Sequence, residues 1–278
     1  MAEYPVQASD GHRWTLQACI PNTPVASLLW LPAMGVAARH YLPFAQALAE
    51  QGIAVFVHEW RGNGSSSLRA DRQHDWGYRE LLTLDLPASE SVIESIVGPI
   101  PSAELRIVGG HSLGGQLAAC RLALAPESAQ ALWLIASGSP YWRAFPAPLR
   151  YSLPLAYRVF WWSALLCGAL PGRSLRFGGN EARGLIKDWS RSALNGRYAA
   201  VGLDADLEER LHSIAAPVRA AVLAEDWLAP ISSLQFLLSK LSKATTQTRM
   251  FDASFLSARA DHFAWMKSPD SIAAWLAS

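Results

Sequence analysis

Ser112 lies in RIVGGHSLGGQLAA (residues 106–119), where an apolar run meets a helix-like stretch and glycines crowd both sides. Small residues cluster where a backbone turns too sharply for a Cβ, or where another group must come close. Gly110-His111-Ser112-Leu113-Gly114 fits G-x-S-x-G directly after a buried strand, a placement that reads as an elbow lifting the Ser112 hydroxyl above a sheet edge. The bland alternative is a glycine-rich turn whose serine only caps the helix. A serine hydroxyl is a weak nucleophile near neutral pH, so the chemistry calls for a base and for a carboxylate that orients it.

Of the seven histidines, only His212 and His262 follow Ser112, and an elbow of this kind is followed in chain order by an acid and then by the base. His262, in Arg259-Ala260-Asp261-His262-Phe263, falls between the last strand pattern and the closing helix, where a loop can hang it over the sheet edge. His212 lies in LEERLHSI and reads as a surface residue on a helix. The acid should end the preceding strand, where Glu225 and Asp226 compete; Asp226 is preferred and Glu225 is the fallback. Nothing between Glu127 and Glu181 is acidic, which excludes an acid after the sixth strand.

These residues need a scaffold. Apolar runs at 26–31, 53–60, 105–109 and 131–136 are bounded by Pro, Gly or Ser and read as buried strands. Helical patterns at about 40–51, 78–97 and 113–124 alternate with them, which predicts βαβ units and a mainly parallel sheet. Runs near 4–7 and 13–20 read as antiparallel strands at one edge. The alternation stops over 141–200, where no clear strand is read, and resumes with a strand at 218–224, a helix at 231–242, a strand at 248–251 and a closing helix from about Phe263. The expected architecture is an α/β sheet of about eight strands, with residues 1–140 and 201–278 as the core and 141–200 as a helical cap inserted after the sixth strand.

Composition narrows the function. The chain has 278 residues, enough for one large domain, and its 24 Lys and Arg against 23 Asp and Glu show no long single-sign run that would track a phosphate backbone. Nucleic acid is excluded as a partner on that ground. Cys19, Cys120 and Cys167 form no CxxC pair or metal-ligand spacing, and the first residues lack a charged-then-apolar leader, so a reduced, cytoplasmic setting is expected. The apolar segment 151–172 approaches bilayer length, but Arg158, Pro154 and Pro171 interrupt it, which favours a cap over a membrane span. Gly62-Asn63-Gly64 lacks the third glycine of a dinucleotide loop, Ser67 standing in its place, and no phosphate-binding or HExxH motif occurs. No cofactor is expected.

The chain resembles the α/β-hydrolase superfamily, and within it a bacterial group of predicted hydrolases whose oxyanion loop begins PAMGV or PALGV. Here that loop is Pro32-Ala33-Met34-Gly35-Val36, where relatives usually carry His-Gly. The likeness extends to His58-Glu59-Trp60-Arg61-Gly62-Asn63-Gly64, with Glu59 in place of the usual aspartate, and to the insertion LPGRSLRFGGNEARGLIKDWSRSALNGRY. It implies that the backbone N–H groups of Leu113 and Met34 form the oxyanion hole, and that Ser112, Asp226 and His262 act on a small-molecule acyl substrate, an ester being the simplest. Asp261 stands where relatives often carry glycine. Trp142, Trp161, Trp162 and Trp189, with Tyr141 and Phe160, are candidates for an apolar acyl pocket, of which at most two or three are expected to face the site. An acyltransferase or thioesterase would use the same residues; a non-catalytic scaffold would break the triad, which is intact here. Oligomeric state is not read from the chain.

Overall fold

The structure, a computed structural model, describes residues 1–98, 105–175 and 177–278. The chain runs β1 (Ala2–Gln7), β2 (Arg13–Cys19), β3 (Ala26–Leu31), α1 (Leu42–Ala49), β4 (Ile53–Val57), α2 (Tyr78–Glu80), a π-helical turn (Leu81–Asp85), α3 (Leu86–Val97), β5 (Leu105–His111), α4 (Leu113–Leu124) and β6 (Ala131–Ile135). It continues through α5 (Leu153–Cys167), β7 (Ala169–Pro171), α6 (Gly172–Leu175), β8 (Asn180–Ala182), α7 (Arg183–Asn195) and α8 (Leu207–Leu211). It closes with β9 (Val218–Leu223), α9 (Ile231–Leu238), β10 (Thr246–Phe251), α10 (Ala253–Leu256) and α11 (Asp270–Ala277).

Eight strands form one sheet in the order β1-β2-β4-β3-β5-β6-β9-β10, as expected for an α/β-hydrolase fold. β1 and β2 pair antiparallel at one edge, β2 meets β4 antiparallel, and every pairing from β4 to β10 is parallel. The unbroken apolar runs have a physical cause: helices cover both faces of the sheet. Along β3, Leu29 and Leu31 pack with Phe56 and Leu117 on one face, while Leu28 and Trp30 pack with Phe44 and Trp265 on the other. A strand buried on both sides loses its polar alternation. Parallel connectivity also places the C-terminal ends of β3, β5 and β9 along one edge, which carries the loops beginning at Pro32, Ser112 and Ala224.

Between β6 and β9 the chain leaves the sheet. α5 and α7 bury Ala164, Leu170 and Ile186 as a small cluster of their own. The segment is tied to the core by Tyr157 Oη donating to Pro140 O at 2.8 Å, and by Lys240 Nζ donating to Gly196 O at 2.6 Å. The expectation of an insertion with no strand is corrected: β7 and β8 pair antiparallel, Leu170 opposite Glu181. Three residues per strand are too few for a period-two pattern to show. The apolar run at 151–172 breaks at Gly168, whose φ of 90° ends α5. No helix among the described residues is long and apolar enough to cross a membrane.

Candidate active site

Ser112 occupies the junction of β5 and α4 with φ 55° and ψ −120°, a left-handed conformation that non-glycine residues adopt only when their surroundings hold them there. Those surroundings are visible. A Cβ on Gly110 would come 2.3 Å from the Gly114 carbonyl carbon, and one on Gly114 would come 2.0 Å from Leu31 O, so β3 and α4 close on the turn only because both positions are glycine. Ser137 Oγ donates to Ser112 O at 2.7 Å and completes the brace.

His262 Nδ1 lies 2.7 Å from Asp226 Oδ2. Asp226 Oδ1 accepts from the N–H groups of Leu228 at 2.9 Å and Ala229 at 3.0 Å, so the carboxylate is fixed from both sides and buried. A carboxylate can only accept, so Nδ1 carries the imidazole proton and Nε2 offers its lone pair. Ser112 and His262 both line a cavity of about 370 Å³ together with Met34, Leu113 and Gln116; no direct hydrogen bond joins Ser112 Oγ to His262. The Leu113 N–H is one of the first-turn amides that a helix leaves free, and the Met34 N–H has no protein acceptor among the described residues. Gln116, one turn further along α4, is buried with its Oε1 unpartnered.

The other sequence candidates lie elsewhere. Glu225 points outward to Arg259 at 3.6 Å. His212 is exposed at the end of α8. Asp261 does not reach the imidazole: its Oδ1 accepts from the N–H groups of Phe263 at 3.0 Å and Ala264 at 2.8 Å. Partial burial would raise that carboxyl, but the Ala264 and Phe263 amides and then Arg259 hold it below its ordinary range.

The aromatic expectation is corrected in part. Trp189 and Phe160 line the cavity, joined by Phe145, Tyr157 and Phe177 from the same segment and by Trp227 and Phe263 from the core loops. Trp142 instead donates its Nε1 to Leu194 O at 3.2 Å, Trp161 lies beside Lys187 in a separate shallow depression, and Trp162 is 65% exposed. α5 is apolar on nearly every side, so helical periodicity could not choose which of its aromatics faces inward.

Two arrangements escaped the sequence reading. Tyr41 Oη accepts from Ala33 N–H at 2.9 Å and sits 2.8 Å from His111 Nδ1, so it donates to that nitrogen. Burial pushes the His111 imidazole well below its ordinary pKa, with the nearby His262 ring adding to the effect, so His111 stays a neutral acceptor. A tyrosine thus links the residue before Ser112 to the residue before Met34. The second arrangement is another Ser-His-Asp contact: His12 lies 2.9 Å from Ser66 Oγ and 3.1 Å from Asp85 Oδ1. Arg61 grips Asp85 through two bonds of 2.7 Å each. All four are buried, and neither Ser66 nor His12 lines the cavity that Ser112 and His262 share. Among the described residues no group of three or more His, Cys, Asp or Glu is placed to hold a metal.

Comparison with known proteins bears on the fold and the family. No curated protein matches the sequence. A hydrolase from Pseudomonas aeruginosa PA01 superposes with a TM-score of 0.62 at 16% identity, over 99% of this chain and 96% of that one. An N-formylmaleamic acid deformylase from Pseudomonas putida S16 gives 0.61 at 18% identity over 100% of both chains. The esterase domain of a Rhodothermus marinus protein gives 0.59 at 15% identity over 99% of this chain and 97% of that one. At such identities these likenesses speak for the fold. The family is shown by the sequence itself, which matches the serine aminopeptidase S33 family of hydrolases over residues 22–255: the chain belongs to that family, within the α/β-hydrolase superfamily.

Proposed function

We propose that the chain is a serine hydrolase that cleaves a carboxylic ester or a related acyl bond through Ser112, His262 and Asp226. The observation that carries this reading is the 2.7 Å contact of His262 with a doubly anchored Asp226, above the cavity onto which the Ser112 elbow opens. In the proposed reaction Ser112 Oγ attacks the acyl carbon as its proton passes to His262 Nε2. The oxyanion is met by the N–H groups of Leu113 and Met34; one such donor contributes about 10²–10³ in rate. The proton then goes from His262 to the departing alkoxide, leaving an acyl-Ser112. Water, deprotonated by the same imidazole, attacks this ester and returns Ser112 to its hydroxyl form. Asp226 stabilises the imidazolium in both halves without taking its proton.

Residues 141–200 serve as the cap of this site and supply the apolar wall, which favours an acyl group of small to medium size. Gln116, whose buried Oε1 has no partner, lines the same cavity from α4 on the core side. The three unpaired cysteines favour a reducing, cytoplasmic setting for the reaction. A panel of chromogenic esters, thioesters and lactones tests the proposal: the unmutated protein turns over at least one class, and Ser112→Ala binds the same substrate while turnover falls by several powers of ten. Turnover only in the presence of an added alcohol or thiol would indicate acyl transfer. No reaction with any class would favour a binding scaffold.

A further inference from the structure

The outward face of α5 is apolar and uncovered. Leu155, Val159, Trp162 and Leu166, spaced by four, three and four residues, form one stripe, and three of them are 65–70% exposed. The opposite face of the same helix is fully used: Tyr157 and Ala164 are buried, and Leu153, Ala156 and Phe160 line the active-site cavity. A row of large apolar side chains left in water, on a helix whose other side is packed, marks an interaction surface.

Charge indicates what covers it. Residues 141–200 hold nine Arg and Lys against two Asp and Glu, a net charge of +7 in a chain whose total is +1; the rest of the molecule is therefore −6. Both acidic groups are buried, Glu181 on strand β8 and Asp188 paired with Arg191, so the charge this segment shows to solvent is cationic. Arg158 rises beside the stripe on α5 itself, with Arg143, Arg173 and Lys187 exposed on the same segment. Two copies meeting through this face would bring like charges together. The helix is 15 residues long and cannot span a bilayer, but it can lie flat at the headgroup boundary.

We propose that α5 is a peripheral membrane-docking helix, its stripe entering the interface of a bilayer rich in anionic headgroups and its cationic surroundings holding it there. This inference concerns a surface and stands independently of the reaction proposed at Ser112.

Co-sedimentation of the full chain with vesicles tests it. Phosphatidylglycerol–phosphatidylcholine vesicles should bind it about tenfold more tightly than phosphatidylcholine alone, and about 0.5 M salt should weaken the binding. The double variant Leu155→Glu/Leu166→Glu should lose anionic-vesicle binding by about tenfold or more with its melting temperature unchanged, and Arg158→Glu should bind less tightly than the unmutated protein. Equal or absent sedimentation with both vesicle types, or binding that survives the double variant, overturns the proposal. So does a dimer in sedimentation velocity that the double variant dissolves, because a second copy would then be what covers the face.

Discussion

Asp226 and Glu225 are adjacent in sequence and face opposite ways: Asp226 Oδ2 lies 2.7 Å from His262 Nδ1, while Glu225 reaches Arg259 at 3.6 Å on the exposed side. The turn that separates them is fixed by the Leu228 and Ala229 amides on Asp226 and by Glu225 N–H donating to Ala260 O at 2.9 Å. Asp226→Asn should therefore lower kcat by about 10⁴, because the amide can donate to Nδ1 and favours the wrong imidazole tautomer. Glu225→Gln should leave kcat within about twofold. Steady-state kinetics of the two variants checks this, and the reverse pattern would transfer the acid to Glu225.

Tyr41→Phe removes one hydroxyl and leaves both Ala33 N–H and His111 Nδ1 without their partner. The buried pair should cost about 1–3 kcal/mol of stability. The loop that carries Met34 should loosen as well, lowering kcat for the favoured substrate by about tenfold while KM changes little. Denaturant unfolding alongside kinetics separates the two effects; a variant of unchanged kcat would show that Tyr41 has no part in holding that loop.

Burial raises Glu181 to about 7, opposed by the Gly179 N–H it accepts and by Arg173. A carboxyl whose folded pKa is raised stabilises the fold fully below its unfolded pKa of 4.5, and that contribution is lost as pH rises through about 7. The whole effect amounts to about 3 kcal/mol. Glu181→Gln keeps an acceptor for Gly179 N–H without ionising, so its stability should fall less between pH 5 and pH 8 than that of the unmutated protein. Melting temperatures across that range decide it, and parallel curves would contradict it. Glu181 shares a small internal cavity with Met34 and Gly35, so any loosening should be felt at the oxyanion loop.

Trp189 lines the cavity and Trp142 does not. Trp189→Phe should raise KM for the favoured apolar ester several-fold, whereas Trp142→Phe should leave it unchanged. Equal effects would show that Trp142 reaches the substrate after all.

What could be read from the sequence divides along a physical line. Strands buried on both faces announce themselves as apolar runs, and Ser112, Asp226 and His262 each fall just past such a run or the last strand, so core and candidate site were legible together. The inward aromatics were not, because α5 is apolar on nearly every side and only the packing against α7 separates Phe160 from Trp162. The β7–β8 ladder is too short to carry a period. The Tyr41–His111 link and the Ser66-His12-Asp85 contact join residues far apart in the chain, and no local pattern signals them.

That second Ser-His-Asp contact sharpens the most direct test of the account. The unmutated protein should be treated with a fluorophosphonate probe, digested, and the labelled peptide sequenced. Ser112 has a hydroxyl open to the cavity, whereas Ser66 is bound by His12 and by the Gly62 and Leu68 amides in the interior. The account predicts one label, on Ser112, that survives Ser66→Ala and vanishes in Ser112→Ala. A label on Ser66, or none on a folded protein, would contradict it.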